Sequence, residues 1–290
     1  MKQISVFRDI ILLVIIIGFL IGTVFAGGVE GESGEGTKLE EIEYLSEYLP
    51  PVNTKFTFHV KSSGDKVAIT SLWEKPGERD EIHQFMGIKE GVKGKTKSRV
   101  IEDSEPRTCA WWRTTVPSDQ DYYADFNYAL KNNGLYIYRE EESTGGLRYY
   151  INCLKAVSFP ITAGDGWADK TTFYTYIPDT GVSLSPTYES KGLTSDSIKV
   201  KVTVDKKENI TTPAGTFECY KVTTIFTSYT GKWLTAATTT TTQKRWWSPE
   251  LNYFVKERDS ISINAVIDAS GTITKELTNY QLASSDMGVI

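Results

Sequence analysis

The chain has 290 residues, 40% hydrophobic, 24% charged and 12% aromatic, a composition that can bury a core and that excludes global disorder or a fibrous repeat. A formal net charge of −5 argues against a nucleic-acid-binding surface, which needs clustered Lys and Arg. Two histidines and three cysteines leave little material for a multi-histidine metal site or a zinc ribbon, so no metal and no cofactor are expected.

Lys2 and Arg8 precede an uncharged run from Ile10 to Phe25, and Val24 and Ala26 place small residues at the −3 and −1 positions of a cleavage after Ala26. A basic start, an apolar middle and a small-residue exit form the secretory signal pattern. Extended through Val29, the same run reaches the ~20 residues that cross a bilayer, so an uncleaved anchor is the alternative. Either reading exports the rest of the chain, released if cleaved and membrane-anchored through residues 10–29 if not. Residues 27–37 (GGVEGESGEGT) are a Gly/Glu linker with nothing to offset backbone ordering entropy.

Leu39, Ile42, Leu45 and Leu49 recur at helical spacing before Pro50-Pro51, which predicts a short amphipathic helix over residues 39–49. Strands are expected at Phe56–Val60 and Val67–Trp73 around a turn at residues 62–65, followed by loops with short strands over 76–106. Tyr122–Leu130 and Leu135–Glu141 flank Asn132-Asn133-Gly134, a hairpin signal because such residues accept the positive φ of a tight turn. Beyond, Ile198, Val200, Val202 and Val204 alternate with polar residues, and Phe217–Phe226, Thr235–Ser248, Tyr253–Ile263 and Ile273–Leu282 continue the strand pattern. The prediction is all-β and mainly antiparallel: a curled sheet, partial barrel or β-roll. Residues 38–153 and 154–290 form its two halves, packed as one unit.

The candidate chemistry is sparse. His59 alternates with Phe56 and Phe58 and reads as a solvated strand-face histidine; His83 lies in the loop-like stretch. A Ser-His-Asp site lacks the G-x-S-x-G turn that would present a serine. Gly94-Lys95-Thr96 lacks the first glycine of a P-loop, because Lys89 stands in its place. Carboxylates are plentiful enough for a hydrolytic pair, although runs such as Glu140-Glu141-Glu142 read as solvated surface. The cysteines Cys109, Cys153 and Cys219 allow three pairings that each leave one thiol. The expected bridge is Cys109–Cys153, with Cys219 buried beside Phe217. Asn209-Ile210-Thr211 is an N-glycosylation sequon whose use depends on the host. The Thr238–Thr242 run reads as an edge strand.

Aromatic pairs give the one hint of a binding surface. Adjacent strand residues point to opposite faces, so Trp111-Trp112 and Trp246-Trp247 should each place one ring in the core and one outside. These four are the candidate ligand contacts, toward a hydrophobic ligand, a glycan or an envelope protein.

Three landmarks between about residues 154 and 283 carry a family resemblance. They are Phe159-Pro160 with Gly164 and Trp167; Thr212-Pro-Ala-Gly-Thr-Phe217 leading to Cys219-Tyr-Lys-Val222; and Trp247-Ser-Pro249 with Val255-Lys256-Glu257, Glu276-Leu277 and Tyr280. This half resembles a broad group of exported bacterial and archaeal β-sheet proteins of uncharacterised function, many of them lipoproteins. The resemblance implies a curled antiparallel sheet, partial barrel or β-roll. The lipid-modified cysteine of the lipoprotein members has no counterpart after Ala26. The leading expectation is a non-enzymatic, exported binding or envelope-associated protein that touches membrane only through its N-terminal segment. An extracytoplasmic hydrolase using a carboxylate pair, or a purely structural envelope component, are the alternatives.

Overall fold

A computed structural model describes residues 39–66, 68, 77–93, 105–143, 146–176, 195–230, 237–265 and 268–283. The signal or anchor segment, the Gly/Glu linker, the Gly94-Lys95-Thr96 sequence and nearly all of the expected Val67–Trp73 strand lie outside the described residues. Helix α1 (Leu39–Ser46) is followed by β1 (Lys55–Gly64), β2 (Glu78–Val92), β3 (Arg107–Val116), β4 (Asp119–Lys131), β5 (Gly134–Glu142), β6 (Leu147–Ser158), β7 (Gly166–Tyr176), β8 (Ser195–Thr212), β9 (Gly215–Thr230), β10 (Ala237–Ser248), β11 (Tyr253–Asn264) and β12 (Ala269–Gln281). Each strand pairs with its sequence neighbours and β12 pairs back onto β1, so the sheet closes into a barrel. Every pairing is antiparallel. Closure removes the unpaired edges that an open sheet would expose.

The wall follows from period-2 alternation. In β8, Ile198, Val200, Val202 and Val204 are buried while Lys199, Lys201 and Thr203 are exposed. In β11, Arg258, Ser260 and Ser262 face out between buried Val255, Glu257, Asp259 and Ile261. A lipid-facing barrel needs an outward apolar band; the outward faces of β8 and β11 carry Lys, Arg, Ser and Thr, so this wall faces water.

One end of the barrel is plugged. Leu45 and Leu49 are buried there, and Tyr48 stacks on Phe159 with ring centroids 4.9 Å apart. Phe159 in turn lies 5.9 Å from Trp247, and Asn252 donates from Nδ2 to the Glu47 carbonyl at 3.0 Å. Behind the plug, Tyr253 stacks on Trp112 at 4.2 Å and on Phe56 at 4.6 Å, while Phe58 stacks on Phe254 at 5.0 Å. Each such ring buried is worth about 1.5–3 kcal/mol of transfer free energy.

Several sequence expectations change. Strand β1 runs through the supposed turn to Gly64, and Lys66 and Ala68 are helical rather than extended. The loop-like stretch contains the 15-residue β2; its inward positions include Glu81 and His83, so hydrophobicity alone hides the alternation. Phe159-Pro160 does not begin a strand but follows the end of β6, where Phe159 turns into the plug. The Thr238–Thr242 run is no edge, since β10 is paired on both sides. The boundary drawn at 153/154 falls inside β6, which pairs with both β5 and β7.

The β4–β5 hairpin shows how local chemistry sets register. Asn132 and Asn133 take φ of 47° and 51°, the two positive values of a type I′ turn. Gly134 begins β5, where an added Cβ would lie 2.4 Å from the Val157 carbonyl oxygen. Gly134→Ala is therefore expected to lower stability by about 1–3 kcal/mol, as overpacking against backbone does. An unchanged midpoint in urea unfolding would contradict this packing of β5 on β6.

Candidate functional site

Strand register brings a layer of charged side chains into the lumen. On β2, Arg79, Glu81 and His83 lie opposite Val60, Phe58 and Phe56 of β1. Val60 also faces Lys275 of β12, Lys275 is paired with Glu257 of β11, and Glu257 with Arg245 of β10. Glu81, Glu257, Asp259 and Lys275 are all buried. Burying charge is tolerated only when the charges are paired and hydrogen-bonded, and Glu81, Glu257 and Lys275 are. Glu81 accepts from Lys275 Nζ at 3.0 Å, from Arg79 Nε at 2.8 Å and from His83 Nε2 at 3.3 Å. Arg245 Nε donates to Glu257. Further round the wall, Glu140 accepts from Arg148 at 3.1 Å and from the Tyr150 hydroxyl at 3.3 Å.

The protonation states follow. Burial pushes the Glu81 carboxyl up, but Lys275, the His83 bond and Arg79 outweigh it and hold it well below the usual carboxylate range. Burial likewise raises Glu257, and Arg245 with Lys275 reverses this, leaving it lowered. His83 is lowered, chiefly by burial. Tyr253 is raised well above its ordinary value, again chiefly by burial, so it keeps its proton. The network then assigns the neutral tautomer of His83: Nε2–H donates to Glu81 and Nδ1 accepts from the Tyr253 hydroxyl at 3.0 Å.

A hydrolytic carboxylate pair needs one member kept protonated as a general acid, through a raised pKa. Glu81 and Glu257 are both shifted the other way, and each is saturated by cations. The arrangement is suited to filling and rigidifying a barrel interior rather than to proton transfer.

The two histidines are not brought together. His59 points outward on the same strand pair, its Nδ1 2.9 Å from Asp80 and its Nε2 2.7 Å from Glu78. Those two bonds raise its pKa, against a smaller effect of burial. Among the described residues no cluster of His, Cys, Asp and Glu is arranged to hold a metal. Trp112 and Trp247 are buried, while Trp111 and Trp246 are half-buried on the outer face, the split that alternation requires. Trp111 lies between Lys89 and Arg113, at 5.0 and 5.4 Å from its ring centroid. Arg113 is gripped by Asp125 at 2.7 and 2.8 Å and covers Tyr123. Trp246 donates from Nε1 to Glu208 at 2.6 Å, with Lys256 over its ring. These outer rings sit on β3 and β10, which are not neighbours, so they form two separate places rather than one platform. Asn209 is exposed on β8 near its terminal turn. The three cysteines are buried free thiols, so the expected Cys109–Cys153 bridge is not formed: the two stand on β3 and β6, with β4 and β5 between them.

Sequence reasoning missed Arg79, Glu81, Arg245, Glu257 and Lys275. A signal for two of the buried ones was present, because they fall in phase with apolar strand faces: Lys275 between Ile273 and Leu277, and Glu257 between Val255 and Ile261.

With this geometry established, comparison with known proteins locates the chain. Residues 178–259 are similar to the DUF3108-like family. The match falls within the half that carries the three landmarks. Among solved structures, a Bacteroides fragilis protein with a YmcC-like fold, named as exported, is 11% identical with a TM-score of 0.43, over 80% of this chain and 98% of that one. A Parabacteroides distasonis protein named as a lipoprotein is 16% identical with a TM-score of 0.33, over 81% and 98%. The YmcC protein of Escherichia coli, also named as a lipoprotein, is 10% identical with a TM-score of 0.31, over 84% and 100%. No curated protein matches the chain.

Two measurements test the network. The chain has two histidines, so an NMR titration should show one midpoint above the ordinary 6.5, His59, and one below it, His83. The linked stabilities have opposite signs. The His59 contribution is present below pH 6.5 and lost as pH rises through its raised pKa. The His83 contribution is present above 6.5 and lost as pH falls toward its lowered pKa. Two midpoints on the same side of 6.5 would contradict the assignment. Separately, Lys275→Met should cost about 3–5 kcal/mol by leaving buried carboxylates uncompensated. Adding Glu81→Gln should recover part of that loss in denaturant unfolding; strictly additive losses would contradict the pairing.

Proposed function

We propose that the protein is an exported, non-enzymatic, envelope-associated barrel, released or tethered by its N-terminal segment. The observation that carries this reading is the interior. The barrel is plugged by aromatic residues at one end and crossed by an ion-paired layer in which Glu81 and Glu257 are held ionised. Glu81 and Glu257 are then unsuited to act as a general acid, and contacts are assigned to the water-facing wall and the rims. The leader-like sequence over residues 1–26 supports export. The outward Trp111 and Trp246, each presenting an amphipathic ring, are the best-suited wall positions for a hydrophobic ligand, a glycan or an envelope protein.

Intact mass and cell fractionation in the native host test this. Recovery outside the cytoplasm is expected, either lacking residues 1–26 in the soluble fraction or full-length in the membrane fraction. A full-length soluble cytoplasmic protein would overturn the export reading. Turnover of glycoside or ester substrates that is abolished by Glu81→Gln or Glu257→Gln in folded protein would overturn the non-enzymatic reading.

A further inference from the structure

One part of the outer wall carries charge of a single sign. Alternation turns Lys170 of β7, Lys199 and Lys201 of β8, Lys244 of β10 and Arg258 of β11 outward, and all five are exposed. The outward positions that share these levels are 166–172 of β7, 197–203 of β8, 223–229 of β9, 238–244 of β10, 258–264 of β11 and 270–274 of β12, and none of them is Asp or Glu. The chain as a whole has a formal net charge of −5, so this segregation is not a consequence of composition.

Four of these cations are set against like charge. Lys170 is paired directly with Lys199, and Lys244 directly with Arg258. Like charges opposite one another on neighbouring strands are destabilising. Elsewhere on the wall Lys61, Lys207, Lys221 and Lys256 each meet a carboxylate within 3.2 Å; among the described residues none of the five does. Lys199 lies instead over the exposed Tyr229 ring, 5.5 Å from its centroid. The carboxylates bordering the face are already engaged. Asp205 and Glu276 hold Lys221 and Lys256, and at the rim opposite the plug Asp65 and Asp268 accept from the backbone N–H of Ser270 and Ala265, at 2.9 and 3.4 Å. An anion supplied from outside would relieve the repulsion.

The shape of the face selects the anion. From β7 to β11 it spans four of the twelve strand-to-strand steps around the closed barrel, about 19 Å at the usual strand spacing. A flat anionic bilayer touches only the crest of such a curved wall, whereas a flexible chain of anionic units follows it. The side chains between the cations are largely hydroxyls, among them Thr223, Thr227, Thr240, Thr242, Ser260 and Ser262, which donate and accept as sugar hydroxyls do. Among the described residues, the exposed large hydrophobic side chains here are Ile225 and Tyr229. That is too little apolar surface to enter lipid, while a tyrosine ring suits the face of a sugar. Resting on the export reading, which brings this wall to the glycans of the envelope, we propose that it binds a linear acidic polysaccharide. The polymer's carboxylates lie across the paired cations, and its hydroxyls meet the Ser and Thr positions between them.

The purified full chain in neutral detergent is applied to immobilised polygalacturonate, and to dextran as the uncharged polymer. Retention on polygalacturonate but not on dextran is expected, with affinity falling at least about tenfold between roughly 50 and 200 mM salt, as binding through released counterions does. Lys199→Glu with Lys201→Glu should lower affinity tenfold or more. Lys55→Glu with Lys89→Glu, the same change of charge on β1 and β2, should leave it intact. Lys170→Glu turns a like-charge pair into an opposite one, so it should weaken binding while raising the Tm of the free protein by about 1–3 °C. Equal losses from the two double variants would overturn the proposal, and so would a lowered Tm for Lys170→Glu or a folded protein that polygalacturonate does not retain. Stronger competition by phosphatidylglycerol in mixed micelles than by free polygalacturonate would also overturn it, giving the face to lipid headgroups. Binding is read on purified protein, so its failure is distinct from failure of the export reading, which fractionation in the host decides.

Discussion

Lys275 is the constraint around which this barrel is arranged. Its ammonium is buried on β12 within 3.0 Å of Glu81 on β2, and its field lowers Glu257 on β11 as well. Strand β12, which pairs back onto β1, therefore closes the sheet and also neutralises two buried carboxylates. Taking such groups out of water costs several kcal/mol per ion. Only a register that delivers Arg79, Lys275 and Arg245 to the same level can offset that. A slip of one residue on β12 would turn Lys275 outward and Thr274 or Glu276 inward. The ionic layer thus specifies the pairing between β1 and β12, the longest-range contact in the fold, more sharply than apolar residues alone would.

The same layer fixes the protonation of these lumen groups. A carboxylate surrounded by cations and deprived of water is a poor general acid, and a neutral His83 fixed between Tyr253 and Glu81 has both ring nitrogens engaged. The outer face is built differently. There, charged groups are placed over aromatic rings, as Arg113 is over Tyr123 at 4.4 Å. Cation–π pairs of this exposed kind are worth about 0.5–1 kcal/mol, enough to order a surface without sealing it.

Legibility in the sequence tracked the simplicity of the burial pattern. The β8 run Ile198–Val204 and the Asn132-Asn133 turn were readable because alternation and turn chemistry were unmixed there. The opposite facing of the Trp pairs followed from the pleat alone. Strand β2 reads as loop because Glu81 and His83 occupy inward positions that a hydrophobicity pattern expects to be apolar. The five-threonine run reads as an edge because hydroxyls on both faces suit exposure; in the closed sheet, Thr241 is buried. The charged site was hidden for the same reason as β2. A lysine between Ile273 and Leu277 looks like a solvated interruption until the partner strand is known to supply Glu257. Pairing between strands hundreds of positions apart is not written in any local stretch.

The central claim is that the buried carboxylates are ionised by their cationic neighbours. It is tested most directly by following the side-chain carboxyl carbons of Glu81 and Glu257 by carbon-13 NMR while pH is lowered from 7. The account predicts that both remain ionised below 4.5, the ordinary value, and protonate only as the fold gives way. Either carboxyl found protonated near neutral pH in the folded barrel would contradict it and restore a general acid to the lumen.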